Sequence, residues 1–153
     1  LTGEKRDAVS LVPISSAQRY LRIKFRAKLY ATTNTLCTLG VFNVANAPYT
    51  NDCALFEMDS TTGVWKAHVT NGSTLTSSGS LNASDTNWHT FEIKFTPPNS
   101  VAFYIDDVFK VSFSGAQGPV QTLLQKVGMG CTANADADKA LIVDYVKAYW
   151  IRA

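Results

Sequence analysis

Glu57 and Asp59 are the two side chains whose types and spacing most directly suggest chemistry in this sequence. They lie two residues apart in the stretch CALFEMD, so in an extended strand both carboxylates point to the same face of a sheet. Paired carboxylates on one face can serve general acid-base chemistry or form a polar binding face.

The strand after these carboxylates determines which side chains lie next to them in the sheet. Ser60 to Gly63 has the composition of a tight turn, and the next stretch, VWKAHVT, alternates apolar and polar residues as a returning strand. Matching the apolar faces predicts three opposite pairs: Met58 and Trp65, Phe56 and Ala67, and Ala54 and Val69. The same register places Glu57 opposite Lys66 and Leu55 opposite His68, so we expect an ion pair between Glu57 and Lys66.

A cation beside Glu57 argues against catalysis, because it favours the charged carboxylate whereas a general acid must hold its proton. His68 is expected to be a residue of the sheet surface. His89 begins a core-facing run, which predicts a buried, hydrogen-bonded histidine. The sequence shows no evident Ser-His-Asp or Cys-His arrangement and no glycine-rich phosphate loop. We therefore predict a protein that is not an enzyme.

Three strands and their two turns can be read from Asn87 to Phe113. Alternating apolar residues predict the strands, and the segment PPN supplies the first turn because proline lacks the ladder donor. Keeping apolar residues opposite one another predicts three pairs in the first hairpin: Phe95 and Val101, Ile93 and Phe103, and Phe91 and Ile105. It predicts three more in the second hairpin: Ile105 and Phe109, Phe103 and Val111, and Val101 and Phe113. This register leaves Asp106, Asp107 and Val108 as the second turn.

The other segments are also strand-like. Their alternation predicts strands at Tyr20 to Tyr30, Leu36 to Asn43, Cys53 to Asp59, Val64 to Thr70, Val127 to Thr132 and Ala140 to Ile151. Ser73 to Thr86 is low in apolar residues and predicts a weak edge strand or a loop, and Gly118 to Lys126 could hold one helical turn. About ten short strands with almost no helix predict an all-β fold, an antiparallel sandwich or barrel.

Length and composition limit the class of protein. A chain of 153 residues with 46% hydrophobic and 17% charged residues predicts one domain, residues 1–153, with a sizeable core. No apolar run approaches the roughly 18 residues of a membrane span, so membrane insertion is not expected. The formal charge of +2 does not suggest a general polyanion binder. The chain begins at Leu1 with no apolar signal core, which we interpret as a processed or excised part of something larger.

A row of cations follows one face of the predicted strand Tyr20 to Tyr30. Arg22, Lys24, Arg26 and Lys28 would be spaced about 6.7 Å apart along that face. Such a row could bind a sulfated or uronic polysaccharide, or phosphate. Nucleic acid is not predicted, because no aromatic residues interleave the row and the pI of about 8.5 is low for that function. We favour the simpler interpretation of a solvated outer sheet face.

The three cysteines, Cys37, Cys53 and Cys131, stand far apart and lack the spacing of a zinc site. We expect three buried free thiols, a common state of cysteine in a protein core. A disulfide between two of them is the alternative, and it would have to join them across the sandwich.

Three segments carry, in order, a resemblance to a known family: NWHTFEIKF, SVAFYIDD and VDYVKAYW. With TGVWKAHVTNG before them, they resemble the concanavalin A-like lectin and glucanase superfamily over Cys53 to Ile151, about two thirds of the chain. The resemblance implies a jelly roll, an antiparallel sandwich of two curved sheets. Asp107 departs from the pattern, because the family usually has Gly there. Members include lectins, laminarinase-like hydrolases, carbohydrate-binding modules and non-catalytic domains of phage tails and virions.

The resemblance also implies where catalytic and metal-binding residues would stand. Hydrolases of this superfamily carry the motif E-x-D-x-x-E or E-x-D-x-E, and Glu57 and Asp59 match its first two carboxylates. The third would fall at position 61 or 62, and both residues are threonine here. A structural Ca²⁺ of these hydrolases would map to Asp144. The loop at 134–138 offers further oxygens but lacks the Gly and the closing Glu of a known calcium loop.

These features predict a non-catalytic carbohydrate-binding or surface-recognition module of a virion or phage tail, at an extracellular or virion surface. The alternatives are a structural virion or decoration protein that forms a symmetric oligomer, and a divergent endo-glucanase. The predicted ligand-binding residues are Tyr49, Glu57, Asp59, Lys66 and His68. The competing interpretation is that they are only the solvated side of a sheet. Expected partners are a glycan or cell-surface polysaccharide and further copies of the chain, with no cofactor beyond that calcium.

Overall fold

The computed structural model describes twelve β-strands and one short 3-10 turn. The described residues are 5–10, 19–32, 35–42, 52–59, 61–72, 74–118, 126–133 and 141–152, some of them, including Asp59, without their side chains. The strands are β1 (Lys5–Ser10), β2 (Arg19–Leu29), β3 (Thr35–Phe42), β4 (Cys53–Asp59), β5 (Val64–Asn71), β6 (Thr74–Ser77), β7 (Asn82–Ala83), β8 (His89–Thr96), β9 (Ser100–Ile105), β10 (Val108–Phe113), β11 (Lys126–Ala133) and β12 (Leu141–Arg152). The 3-10 turn is Gly115–Gln117. None of the described segments forms a long apolar helix that could span a bilayer.

The strands form two antiparallel sheets. Sheet A has the order β1-β11-β3-β4-β5-β6, with β7 also paired to β5, and sheet B has the order β10-β9-β8-β2-β12. Neighbours in each sheet come from distant parts of the sequence as well as from hairpins, as in a jelly roll. The predicted all-β, two-sheet antiparallel sandwich is confirmed.

The core lies between the inner faces of the two sheets, where the alternating apolar residues of both sheets meet. Phe56 of sheet A stands at its centre. Its ring contacts Phe91 and Phe103 of sheet B edge-on, with centroids 5.2 Å and 5.0 Å away. Trp65 packs against Phe91 at 4.5 Å, so the inward orientation expected for Trp65 is confirmed.

The register predicted for β8 and β9 is confirmed in all three pairs, and the turn after β9 differs from the prediction. Ile105 pairs with Val108, not with Phe109, so the turn contains Asp106 and Asp107 alone. Both aspartates have positive φ, 52° and 61°, as a two-residue turn matching the twist of its strands requires. A bulge between Phe109 and Val111 then restores the predicted pairs further along β10.

The β4–β5 hairpin has the predicted register, including Glu57 opposite Lys66 and Leu55 opposite His68. The weak segment Ser73 to Thr86 forms the short, largely exposed strands β6 and β7, which confirms its edge character. The helical turn expected within Gly118 to Lys126 falls on residues 119–125, outside the described part of the chain.

Candidate functional site

The predicted site residues that the structure describes lie on the outer face of sheet A. Glu57 projects from β4 between Thr38 on β3 and Lys66 on β5, its direct neighbours in the two ladders. His68 lies two residues along β5 from Lys66, diagonal to Glu57. Its Nε2 is 3.4 Å from Glu57 Oε1, so the contact described at Glu57 is with His68, and it is an ion pair only when the imidazole is protonated. The expected Glu57–Lys66 ion pair stays a prediction.

Ser77 extends this pair into a row. It stands opposite His68 on β6, and its Oγ lies 2.7 Å from His68 Nδ1. Because Nε2 faces a carboxylate, we assign the imidazole proton to Nε2, which leaves Nδ1 to accept the Ser77 hydroxyl. The result is a continuous polar row across three strands: Ser77, His68 and Glu57.

Two members of the row are recessed, whereas Ser77 at its edge is exposed. The side chains of His68 and Glu57 are only 8% and 14% exposed. Next to them on the same outer face, Leu55 and Thr70 are fully buried. His68 is therefore not the sheet-surface residue that the sequence predicted, and this part of the face is not simply solvated. Partly desolvated polar groups form stronger and more selective hydrogen bonds with a ligand than exposed ones do.

The remaining predicted site residues are placed less completely. Asp59 is the last residue of β4, opposite Val64, and the structure describes its backbone only. Tyr49 lies in residues 43–51, which the structure does not describe. Thr61 and Thr62 occupy the exposed turn where the hydrolase motif would place its third carboxylate.

The row of Ser77, His68 and Glu57 contains one carboxylate, whereas retaining glycoside hydrolysis uses two that are about 5 to 5.5 Å apart. The row also differs from a serine-hydrolase site, which needs backbone N–H donors beside its serine. The N–H after Ser77 belongs to Ser78 and donates to Ala67 O at 2.8 Å, so it is already used in the fold. Imidazole, hydroxyl, carboxylate and ammonium groups together provide the donors and acceptors that sugar hydroxyls require.

Ser77 was missed by sequence reasoning. Its segment was recognised as a weak edge strand, but nothing in its composition fixed a register against β5. Once that register is known, a serine opposite a histidine is a recognisable signal for a hydrogen bond across two strands.

The predicted row of cations lies on the outer face of sheet B and is partly neutralised there. Lys24 Nζ lies 2.8 Å from Asp107 Oδ1 and 3.8 Å from the buried carboxylate of Glu92. The hydrogen bond with Asp107 raises the pKa of Lys24 and lowers the pKa of Asp107. Arg26 Nη1 lies 2.6 Å from Asp144 Oδ2. This internal charge balance supports the interpretation as an outer sheet face.

One expectation about this face was wrong, because aromatic residues do accompany the cations. Arg26 and Lys28 lie over the ring of Trp88, 4.9 Å and 5.1 Å from its centroid. Trp88 precedes β8, the strand beside β2, so no inspection of β2 alone could have shown it.

Asp144, the predicted calcium ligand, stands at a bulge in β12 beside β2. Its carboxylate accepts from the Arg26 guanidinium, which competes with a metal ion for the same oxygens. No group of three metal-binding side chains occurs among the residues that the structure describes, and 134–138 lie outside them. The calcium site stays an untested prediction.

The sequence matches no protein-family model and no curated protein. Its fold, however, resembles solved structures. The structure of sheep galectin-11 in complex with glycerol has a TM-score of 0.61 at 10% identity, over 97% of this chain and 99% of that one. The laminarinase from Rhodothermus marinus has a TM-score of 0.71 at 17% identity, over 96% of this chain and 71% of that one.

A third structure is described as a pseudo β-1,3-glucanase of Mycobacterium tuberculosis. It has a TM-score of 0.61 at 12% identity, over 84% of this chain and 63% of that one. The fold is thus the β-sandwich that these solved structures have. A lectin fold, a hydrolase and a pseudo-enzyme share it, so the fold alone does not assign catalysis.

Proposed function

We propose that this chain is a non-catalytic glycan-binding module whose binding face is the outer surface of sheet A, displayed on a virion or phage tail. The observation that carries the binding role is the polar row in which the recessed His68 and Glu57 continue from the exposed Ser77, with Lys66 opposite Glu57. Lectin-type structural neighbours support a carbohydrate ligand at the level of the fold. The virion or phage location rests on the sequence resemblance alone.

The absence of hydrolysis in this proposal rests on the residues around Glu57. Threonines occupy both positions for the third carboxylate of the motif, and the group beside Glu57 Oε1 is the imidazole of His68. Glu57 offers carboxylate oxygens that can accept hydrogen bonds from sugar hydroxyls beside its contact with His68. Such bonds contribute about 1.5–3 kcal/mol each.

The proposal is tested by glycan-array binding of the full chain, followed by calorimetry with the best ligand and with laminarin. We expect Glu57→Gln to weaken binding roughly tenfold to a hundredfold, because it removes the charge and keeps the shape. Asp107→Asn is the matched control. It makes the same chemical change on an exposed turn of sheet B, and its affinity should equal that of the wild type.

Three results would contradict the proposal in different ways. Release of reducing ends from laminarin that disappears in Glu57→Gln would make the protein a divergent endo-glucanase. A stable symmetric oligomer that binds no glycan on the array would make it a structural decoration protein. Equal losses of affinity in Glu57→Gln and Asp107→Asn would move the binding face away from sheet A.

A further inference from the structure

Cys37 and Cys131 are direct partners across two strands of sheet A. They are 94 residues apart in sequence, yet the register of β3 and β11 places them opposite each other, with their Sγ atoms 2.6 Å apart. Direct antiparallel partners have Cα atoms about 4.5 to 5.5 Å apart. That separation lies within the roughly 4.4 to 6.8 Å that a disulfide spans, so the strands need not move to form one.

The third cysteine is separated from this pair by the sheet itself. Cys37 belongs to the core between the sheets, whereas Cys53 belongs to a small buried cluster with Phe42 and Leu55 on the outer face. Cys53 Sγ lies 3.2 Å from the hydroxyl oxygen of Thr70. Burial raises the pKa of the Cys53 thiol to about 11, so it is a poor nucleophile at neutral pH.

We infer that Cys37 and Cys131 form a reversible cross-strand disulfide that ties β3 to β11, while Cys53 stays a thiol. The structure gives all three cysteines as free thiols, as expected, with Cys131 only partly buried, and the inference adds an oxidised form for the Cys37–Cys131 pair. The bond lies within one sheet, so it also differs from the disulfide across the sandwich that the sequence left as the alternative.

The two thiols have different roles in forming the bond. Cys131 is only partly buried, and the hydrogen bond from Cys37 lowers the pKa of Cys131. Cys37 is fully buried, and the same hydrogen bond together with burial raises its pKa. Cys131 is therefore the thiolate that reacts first with an external oxidant.

The oxidant is a low-molecular-weight disulfide such as oxidised glutathione. The Cys131 thiolate attacks one sulfur of that disulfide and releases one thiolate, leaving a mixed disulfide on Cys131. Cys37 then loses its proton and attacks the Cys131 sulfur, which releases the second thiol. The two cysteines lose two electrons and two protons in total, and the oxidant is reduced to two thiols.

A covalent link at this place reinforces a strand pair that has few side chains on its outer face. Gly128 of β11 stands opposite Gly40 of β3, and Gly130 stands opposite Thr38. Glycine contributes no side-chain packing and favours the unfolded chain. Closing a loop of this length restricts the unfolded chain strongly, so the oxidised protein should be the more stable form.

The inference is tested by counting thiols in the full chain after equilibration in a glutathione buffer. The protein is denatured, alkylated without reductant and weighed intact by mass spectrometry. We expect one alkylated cysteine in the oxidising buffer and three after reduction, with a Cys37–Cys131 linked peptide in the digest. Three alkylated cysteines in the oxidising buffer, or a linked peptide that contains Cys53, would overturn the inference.

Two variants separate the pair from the third thiol. Cys131→Ser should give two alkylated cysteines in both buffers, and its melting temperature should not respond to reductant. Cys53→Ser should give none in the oxidising buffer and two after reduction, and it should keep the higher melting temperature of the oxidised form. If Cys131→Ser does not fold, the inference can still be tested, because the thiol count of the wild-type protein requires no variant.

Discussion

His89 joins two loops at the rim of the sandwich through its two ring nitrogens. Nδ1 lies 2.6 Å from Asp106 Oδ2, and Nε2 lies 3.0 Å from Asp85 Oδ1. Both nitrogens face carboxylates, so both can donate when the ring is protonated. Partial burial acts to lower the pKa of His89, but the hydrogen bonds to the two aspartates outweigh it and the pKa is raised. The predicted hydrogen-bonded histidine is found, although it is half-buried.

This arrangement predicts a pH dependence of stability. A raised pKa in the folded state stabilises the protein fully below the unfolded value near 6.5, and the contribution is lost as pH rises through the folded value. The pKa of Asp85 is lowered, so its contribution is lost only as pH falls through that lowered value. We expect the wild type to melt at a higher temperature at pH 5.5 than at pH 8.5.

The variant His89→Gln isolates this contribution from that of other titrating groups. At pH 5.5 its melting temperature should be lower, because the free energy of unfolding falls by about 0.5–1 kcal/mol. The loss is modest because the ion pairs are partly exposed. At pH 8.5 it should differ little from the wild type. An equal loss at both pH values would contradict the ionic role.

At the scale of elements, the closest fit between strands is at Gly40 of β3. Gly40 stands opposite Leu55 of β4, and a Cβ added at Gly40 would overlap the Leu55 Cβ and lie 2.5 Å from the carbonyl oxygen of Ala54. The second atom belongs to the backbone and cannot turn away. Gly40 therefore allows the outer face of sheet A to hold the buried Leu55 beside the polar row.

Gly40→Ala should destabilise the protein by about 2–3 kcal/mol, because the two strands must separate to accept a methyl group. The free energy of unfolding in urea measures the loss. Gly79→Ala is the matched control, since a Cβ at Gly79 would meet nothing within 4 Å and its φ is not in the left-handed region. It should be neutral or slightly stabilising. Similar losses in both variants would remove the steric explanation.

At the scale of the whole molecule, the two sheets are held together by aromatic packing centred on Phe56. This ring is fully buried and meets Phe91 and Phe103 of the facing sheet. Each such contact adds about 0.5–1.5 kcal/mol to the burial of the rings. The sandwich therefore depends on this position more than on any single pair within a sheet.

Phe56→Ala should lower the free energy of unfolding by about 3–5 kcal/mol, the usual cost of a large cavity. Urea denaturation followed by tryptophan fluorescence measures it, and Phe56→Leu provides a milder variant if the alanine protein does not fold. Phe109→Ala removes the same ring from a site that is 54% exposed and should cost less than about 1 kcal/mol. Comparable losses at the two positions would contradict a central role for Phe56.

The sequence by itself determined most of the strands, although not β1, and the registers of two hairpins. Alternation with a period of two can be read from a short stretch of sequence. A shift of one residue would turn every apolar side chain outward, so the segments Phe91 to Phe95 and Ala54 to Met58 each have one favourable register with the next strand. The turn at Asp106 and Asp107 was predicted one residue too long. The bulge that follows it keeps the later pairs in register and left no trace in the apolar pattern.

Only the tertiary structure decided which distant residues meet. The order of strands in a sheet depends on the packing of the whole chain, which no local period records. It places Cys131 against Cys37, Asp144 against Arg26, and Asp107 against Lys24. It also places Ser77 on the weakly patterned strand β6 beside His68, which completes the polar row that the sequence had shown only as Glu57, Lys66 and His68.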